Sequence, residues 1–153
     1  MLIDTREQQA LEFKKLEGVE CLQQCLIVGD YGALLEGTPI MVVIERKSIA
    51  DLFSSFSTGY EHEKRKILKA KEMGYKYILA VEGTCNRILK GYTYWNGTAE
   101  VEHPKSGLSQ VRQLMTLGCK YGIETWYCST REEMALRIQE YFLAWERLKG
   151  GKT

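Results

Sequence analysis

Met41-Val42-Val43-Ile44-Glu45-Arg46-Lys47-Ser48, running on into Ile49-Ala50-Asp51-Leu52, is the stretch around which the rest of the chain can be read. Four apolar residues, three of them β-branched, predict a short buried strand over 41–47. Side chains alternate along a strand, so Glu45 and Lys47 leave on one face and Arg46 on the other. Ser48 followed by Asp51 reads as an N-cap with its capping-box acid, which starts a helix over 48–56. A carboxylate and an ammonium are thereby held side by side where a core strand meets a helix N-terminus, a costly place for charge without a function.

A small divalent metal prefers oxygen ligands and keeps several waters, so Glu45 needs a second carboxylate to hold one. Asp30 is the candidate, closing the apolar run Leu26-Ile27-Val28-Gly29-Asp30-Tyr31 within a strand expected over 21–30. An acid, then a loop and strand, then Glu-x-Lys is the PD-(D/E)-x-K nuclease pattern. A solvated hairpin with a surface salt bridge has the same spacing, and spacing alone leaves both readings open.

The longer string separates them. Gly29-Asp30-Tyr31, Ile44-Glu45-Arg46-Lys47-Ser48, Asp51-Leu52 and Ser54-Ser55-Phe56 closely resemble the nuclease domain of the XPF-type structure-specific endonucleases. Ile3-Asp4-Thr5-Arg6-Glu7 is similar to that family's first strand and acidic turn, Val81-Glu82-Gly83-Thr84 to a later core strand, and Pro104-Lys105-Ser106 to the start of a following helix. The resemblance runs in order along nearly the whole chain. It implies a metal-dependent DNA endonuclease acting on branched or flapped DNA in DNA repair. Mg²⁺ would be the cofactor, with Mn²⁺ able to substitute, and the products would end in 5′-phosphate and 3′-hydroxyl. It further implies Asp4, Asp30 and Glu45 as metal ligands, Lys47 as the residue that orients or deprotonates water, and Arg46 as a supporting site residue. Arg6 and Glu7 either order the ligands and touch phosphate or form a surface turn.

The family also contains degenerate, non-catalytic partners that bind DNA or act as scaffolds, and this is the alternative function. Such partners usually lose the acids or the lysine, whereas Asp4, Asp30, Glu45 and Lys47 are all present. A sequence-specific restriction-type enzyme would share the core but has no reason to carry Glu-Arg-Lys-Ser. One departure is Tyr60, where many members have an arginine after the glycine of Ser-x-x-x-Gly. Another is the end of the chain at residue 153, which leaves no room for a tandem helix-hairpin-helix domain and suggests a stand-alone version.

With 153 residues the chain is expected to form one nuclease domain over 1–148, with a frayed tail at 149–153. No apolar run approaches the length of a membrane span and no signal peptide is evident, so neither membrane nor export is indicated. Five cysteines without a Cys-x-x-Cys pair point to reduced thiols and an intracellular setting. A zinc site using them with His62 or His103 lacks ligand spacing. Net charge is only +1, yet Lys64, Arg65, Lys66, Lys69 and Lys71 concentrate positive charge in one segment, fit for phosphates or simply a solvated helix face.

Along the chain, the pattern predicts a strand over 1–4, a helix over 7–17 ending at Gly18, and a turn at Glu36-Gly37-Thr38-Pro39, with a short strand at Ala33–Leu35. In the basic helix over 60–73, Lys64 and Lys71 fall within the arc meant for the core; either their stems snorkel outward or an ammonium points into the site groove. Tyr77–Val81 reads as a strand covered on both faces, and Thr84 caps a short helix to Leu89. In the Gly-rich loop over 90–97, Tyr92, Tyr94 and Trp95 either stack on unpaired bases or pack the loop onto the body, and Asn96-Gly97 marks a tight turn. A helix over 106–121 carries Leu108, Val111, Leu114 and Met115, and a strand covers 123–127. The last helix opens on Thr130 and Glu133 and aligns Met134, Ile138, Tyr141, Phe142, Trp145 and Leu148, leaving Leu136 and Leu143 as ordinary exposed leucines or a second face for a homodimer.

The order of elements gives an α/β sandwich of the restriction-endonuclease type, a central mixed sheet flanked by helices, with the site where the strands over 1–4, 21–30 and 41–47 end together. Arg6, Lys64, Arg65, Lys69, Tyr94 and Trp95 are the expected DNA contacts.

Overall fold

Alternation along Val42–Ser48 sends Val42 and Ile44 to one face of the strand and Val43 to the other, and each face is covered by its own apolar layer. The computed structural model describes residues 1–15 and 19–149. In chain order its elements are β1 (Leu2–Asp4), β2 (Leu22–Gln24), β3 (Tyr31–Gly32), β4 (Leu34–Leu35), β5 (Thr38–Pro39), β6 (Val42–Ser48), α1 (Ile49–Ser55), α2 (Tyr60–Glu72), β7 (Lys76–Glu82), α3 (Cys85–Leu89), β8 (Thr93–Trp95), β9 (Glu100–Glu102), α4 (Gly107–Tyr121), β10 (Glu124–Cys128) and α5 (Arg131–Lys149).

Six strands form one mixed sheet in the order β10-β7-β6-β3-β1-β2. β6, β7 and β10 run parallel, β3 is antiparallel to β6 and β1, and β2 lies parallel to β1 at the edge. This is the expected central mixed sheet flanked by helices. β6 meets β7 in full register, with Glu45 opposite Leu79, Arg46 opposite Ala80 and Lys47 opposite Val81. Val43, Leu79 and Val81 pack with Leu52, Phe53, Ile67, Ile88 and Leu114 under α1–α4. Val42, Ile44, Ile78 and Ala80 pack with Trp126, Met134, Ile138 and Phe142 under α5. The face that carries Glu45 and Lys47 therefore looks at α2, and the face that carries Arg46 looks at α5.

The first third of the chain departs from expectation. Cys25–Asp30 is not strand, so the run expected over 21–30 contains only β2, and Asp30 precedes β3 instead of ending a strand. The backbone at Leu26 is bonded to side chains: its N–H donates to Asp4 Oδ2 at 2.7 Å and its carbonyl accepts from Arg6 at 2.7 Å. Gly29 then turns the chain at φ +80°, where a Cβ would lie 2.9 Å from Val43 Cβ, so only glycine lets this loop lie against β6.

The helix expected over 7–17 is also absent from residues 7–15, and its end at Gly18 lies outside the described residues. Arg131 of α5 donates to the carbonyls of Gln9 and Ala10, Gln139 donates to that of Lys14, and Tyr31 accepts from the Leu11 N–H. Tertiary partners thus satisfy this backbone without helical bonds.

Later elements follow the sequence closely. Ser48 accepts from the Asp51 N–H at the start of α1, Thr84 caps α3 and Ser106 caps α4. At α5, Thr130 accepts from the Glu133 N–H while Glu133 accepts from the Ser129 N–H. On α4 the buried side is Gln110, Val111, Leu114 and Leu117, while Leu108 and Met115 face outward. The α5 stripe is buried only to Phe142; Trp145 and Leu148 are exposed, as is Leu136, and α5 continues through Lys149 into the expected tail, whose remainder is outside the described residues. Of the five cysteines, only Cys128 is a buried strand residue. No helix among the described residues is long and apolar enough to cross a membrane.

Candidate active site

Asp30 is fastened to the central strand from both sides. Its N–H donates to the Ile44 carbonyl at 2.9 Å, its carbonyl accepts from the Asp4 N–H at 2.8 Å, and its Oδ2 accepts from the Arg46 N–H at 2.8 Å. The carboxyl group is therefore delivered to the C-terminal half of β6, beside Glu45. Burial, reinforced by the negative charge of Glu45, pushes its pKa up to about 7.

Glu45 and Lys47 project together toward α2, as alternation requires. Lys47 Nζ lies 3.0 Å from Glu45 Oε1 and 3.0 Å from Glu63 Oε2, and Glu63 Oε1 accepts from Tyr77 OH at 2.8 Å. Burial alone would lower the Lys47 pKa, but Glu45 and Glu63 outweigh it and the ammonium is held above its ordinary value. A second ammonium, Lys66 Nζ, lies 2.5 Å from Glu45 Oε1.

On the opposite face Arg46 is gripped by two acids. Its Nε and one terminal nitrogen donate to Glu7 at 3.0 and 2.9 Å, and the other donates to Glu82 at 2.6 Å. Arg131, at the start of α5, donates to the same Glu82 oxygen at 2.6 Å. Arg46 thereby ties the loop after β1, the end of β7 and the start of α5 to the strand that carries Glu45.

Asp4 is buried but fully engaged. Oδ1 accepts from the Arg6 N–H and Nε, and Oδ2 accepts from the Arg6 guanidinium and the Leu26 N–H. Against the upward push of burial, these bonds hold its carboxyl below the ordinary value. Among the described residues no three His, Cys, Asp or Glu side chains converge as a metal cage, although Asp4, Asp30 and Glu45 line the same cleft. Two hard oxygen donors, Asp30 and Glu45, do stand together. That donor set fits a small divalent cation that takes one or two carboxylates and fills its other positions with water and phosphate.

These groups open into a cleft of about 560 Å³ lined by Asp4, Arg6, Asp30, Glu45, Arg65, Lys66 and Lys69, with His62 at its wall. Arg46 and Lys47 line the adjoining groove with Glu7, Ser48 and Asp51. Lys64 is not part of either; it pairs with Glu61 at 3.4 Å, and Lys71 is exposed, so neither is the cation that enters the site. That residue is Lys66. Sequence reasoning also passed over Glu63, although it heads the buried stripe Glu63, Ile67, Ala70 at helical spacing, which is the signal that marks it.

Tyr94 and Trp95 stand apart from the cleft on the β8–β9 hairpin. Packing onto the body holds for part of this loop, and the rest is left exposed. Tyr92 packs inward, 5.8 Å from the Phe53 ring and stacked at 6.3 Å on Tyr94, while Trp95 is 68% exposed. Lys105 fastens the base of the hairpin to the Phe56 carbonyl and Gln113.

Known structures share this fold. XPF from Aeropyrum pernix matches with a TM-score of 0.60 and 22% identity, over 92% of this chain and 63% of that one. The Aeropyrum pernix XPF structure in complex with DNA matches with a TM-score of 0.59 and 20% identity, over 91% of this chain and 60% of that one. The chain thus spans less than two-thirds of the length of either match, and at these identities the likeness establishes the restriction-endonuclease-like fold. No curated protein matches the chain. A family model described as the ERCC4 domain matches residues 3–140, from within β1 through the Asp30 loop and all of β6 to about the middle of α5. On that match, the chain belongs to the ERCC4 domain family.

Proposed function

We propose that the chain is a DNA endonuclease that hydrolyses phosphodiester bonds near branches, flaps or forks in DNA repair, using Mg²⁺ or, in its place, Mn²⁺. One observation carries this reading: Asp30 and Glu45 line both the cleft that carries Arg65, Lys66 and Lys69 and the adjoining groove lined by Lys47, whose ammonium pairs with Glu45. Asp30 and Glu45 would hold the ion, which when bound supplies an activated water and neutralises charge on the phosphate. The remaining work falls to the chain's own side chains. Lys47, kept protonated by Glu45 and Glu63, places a fixed positive charge beside the reacting phosphate; this favours charge stabilisation over removal of a proton from water. Asp4 orients Arg6, and Arg6, Arg65 and Lys69 offer phosphate contacts that fix position without reading sequence.

The DNA complex of the Aeropyrum pernix protein supports DNA as the ligand here. A preference for branched DNA rests on the exposed Trp95, with Tyr94 behind it, as a surface for unstacked bases. Exposed Leu136, Trp145 and Leu148 support self-association through α5 as a homodimer. A second reading, a non-catalytic DNA-binding subunit, draws on the engagement of both Asp4 oxygens by Arg6 and Leu26. Incubation with labelled flap, fork and linear duplex of two unrelated sequences, with Mg²⁺ or EDTA, decides. Mg²⁺-dependent cutting near the branch in both sequences supports the first reading; binding without cutting supports the second. Equal rates on flap and duplex would remove branch preference.

A further inference from the structure

Lys66 reaches from the second turn of α2 into the cleft and sets its Nζ 2.5 Å from Glu45 Oε1. The Glu45 oxygen thus faces two ammonium groups that are held very differently. Lys47 has a second acid, Glu63, at 3.0 Å, and its side chain is only 10% exposed. Lys66 has no other acid within ion-pair distance among the described residues, and its side chain is 31% exposed. Its neighbours on the same wall, Arg65 and Lys69, pair with no acid among the described residues. Of the α2 cations lining the cleft, Lys66 alone is drawn onto a carboxylate proposed to hold the metal. It also has an open path back to solvent.

We propose that Lys66 is a tethered cation occupying the metal's place on Glu45 in the free protein, and that a divalent ion must displace it to bind. This rests on the proposal that Glu45 holds the metal. An inner-sphere ion needs a carboxylate oxygen at about 2.0–2.1 Å, where an ammonium already bonded to that carboxylate repels it. The flexible lysine stem lets Nζ withdraw toward the basic wall, while Lys47 stays fixed between Glu45 and Glu63. Lys66 and the metal are then competitors, and removing one must strengthen the other.

Calorimetric titration of Mn²⁺ onto the full chain without DNA tests this directly. Lys66→Met, which keeps the stem and removes the charge, is expected to bind Mn²⁺ on the order of tenfold more tightly than wild type. Lys66→Arg, which keeps the charge, should bind like wild type, and Glu45→Gln should lose binding. Equal or weaker affinity in Lys66→Met overturns the competition while leaving the metal site standing. Tighter binding in both Lys66→Met and Lys66→Arg assigns the gain to shape and overturns it as well. No Mn²⁺ binding by either wild type or Lys66→Met, or binding retained in Glu45→Gln, places the failure in the metal reading itself.

Discussion

Glu63 Oε2 lies 3.0 Å from Lys47 Nζ, and neither side chain has more than slight contact with solvent. With Tyr77 OH bonded to the other Glu63 oxygen, Lys47 of β6 is fixed by a residue on a different element. Removing Glu63 leaves the buried Lys47 with Glu45 as its remaining acid among the described residues, so a buried charge loses half of its compensation. Glu63→Ala should cost about 3–5 kcal/mol in urea unfolding and lower the cleavage rate. Glu63→Gln keeps the hydrogen-bond geometry and should cost less than half as much. Equal losses for both would assign the whole effect to the charge on Glu63 and none to its hydrogen-bond geometry.

The two carboxylates proposed to hold metal should respond oppositely when neutralised. Asp30 is buried beside Glu45 with its pKa raised to about 7, so its charged form weakens the fold. Its contribution is fully present below the unfolded value of 3.8 and is lost as pH rises through about 7. Asp30→Asn should therefore stabilise the metal-free protein at pH 8, on the order of 1–2 kcal/mol, and should flatten the fall in melting temperature between pH 4 and 8. Glu45 neutralises Lys47 and Lys66, so Glu45→Gln should destabilise by about 3 kcal/mol. Thermal melts of the two variants across pH settle the signs.

Arg46 should resist conservative replacement. Its planar guanidinium meets Glu7 through two nitrogens and Glu82 through the third, a geometry that a lysine cannot reproduce. Arg46→Lys should lose about 2 kcal/mol of stability. Arg131→Ala, at the more exposed end of the network, should lose under about 1 kcal/mol. Denaturant midpoints compare them, and an unchanged midpoint for Arg46→Lys would exclude a structural role for the network.

Much of this arrangement was legible because strand alternation is strict. The spacing of Glu45, Arg46 and Lys47 assigned their faces correctly, and the Ser48–Asp51 cap placed α1. Asp30 was legible as a companion of Glu45 but not as a loop residue. Leu26, Ile27 and Val28 read as strand, yet the Leu26 backbone is bonded to the Asp4 and Arg6 side chains and the chain is turned by Gly29. Residues 7–15 misled for a related reason: their backbone partners, Arg131, Gln139 and Tyr31, lie far away in sequence. Lys66 was hidden in a run of charge, because a charged helix usually faces water; Glu63 shared that run, and only its spacing to Ile67 and Ala70 set it apart.

The hairpin offers a separation between substrate preference and catalysis. Tyr94→Ala with Trp95→Ala should leave the melting temperature nearly unchanged, since both rings are exposed, but should reduce flap cutting more than duplex cutting. Tyr92→Ala, which removes the ring packed against Phe53, should lower the melting temperature. A parallel drop in flap and duplex cutting would deny the hairpin any part in recognising branches.

Asp30, Glu45 and Lys47 are proposed to form one metal-dependent cleavage site. The most direct test is the single-turnover cleavage rate of a labelled flap by wild type and Glu45→Gln, each folded by circular dichroism, in Mg²⁺. Wild-type cleavage is expected to be abolished by EDTA, and the Glu45→Gln rate to be at least about a thousandfold lower, the scale of losing a main electrostatic element. Wild-type cleavage that persists in EDTA, or a Glu45→Gln rate equal to wild type, would contradict this assignment.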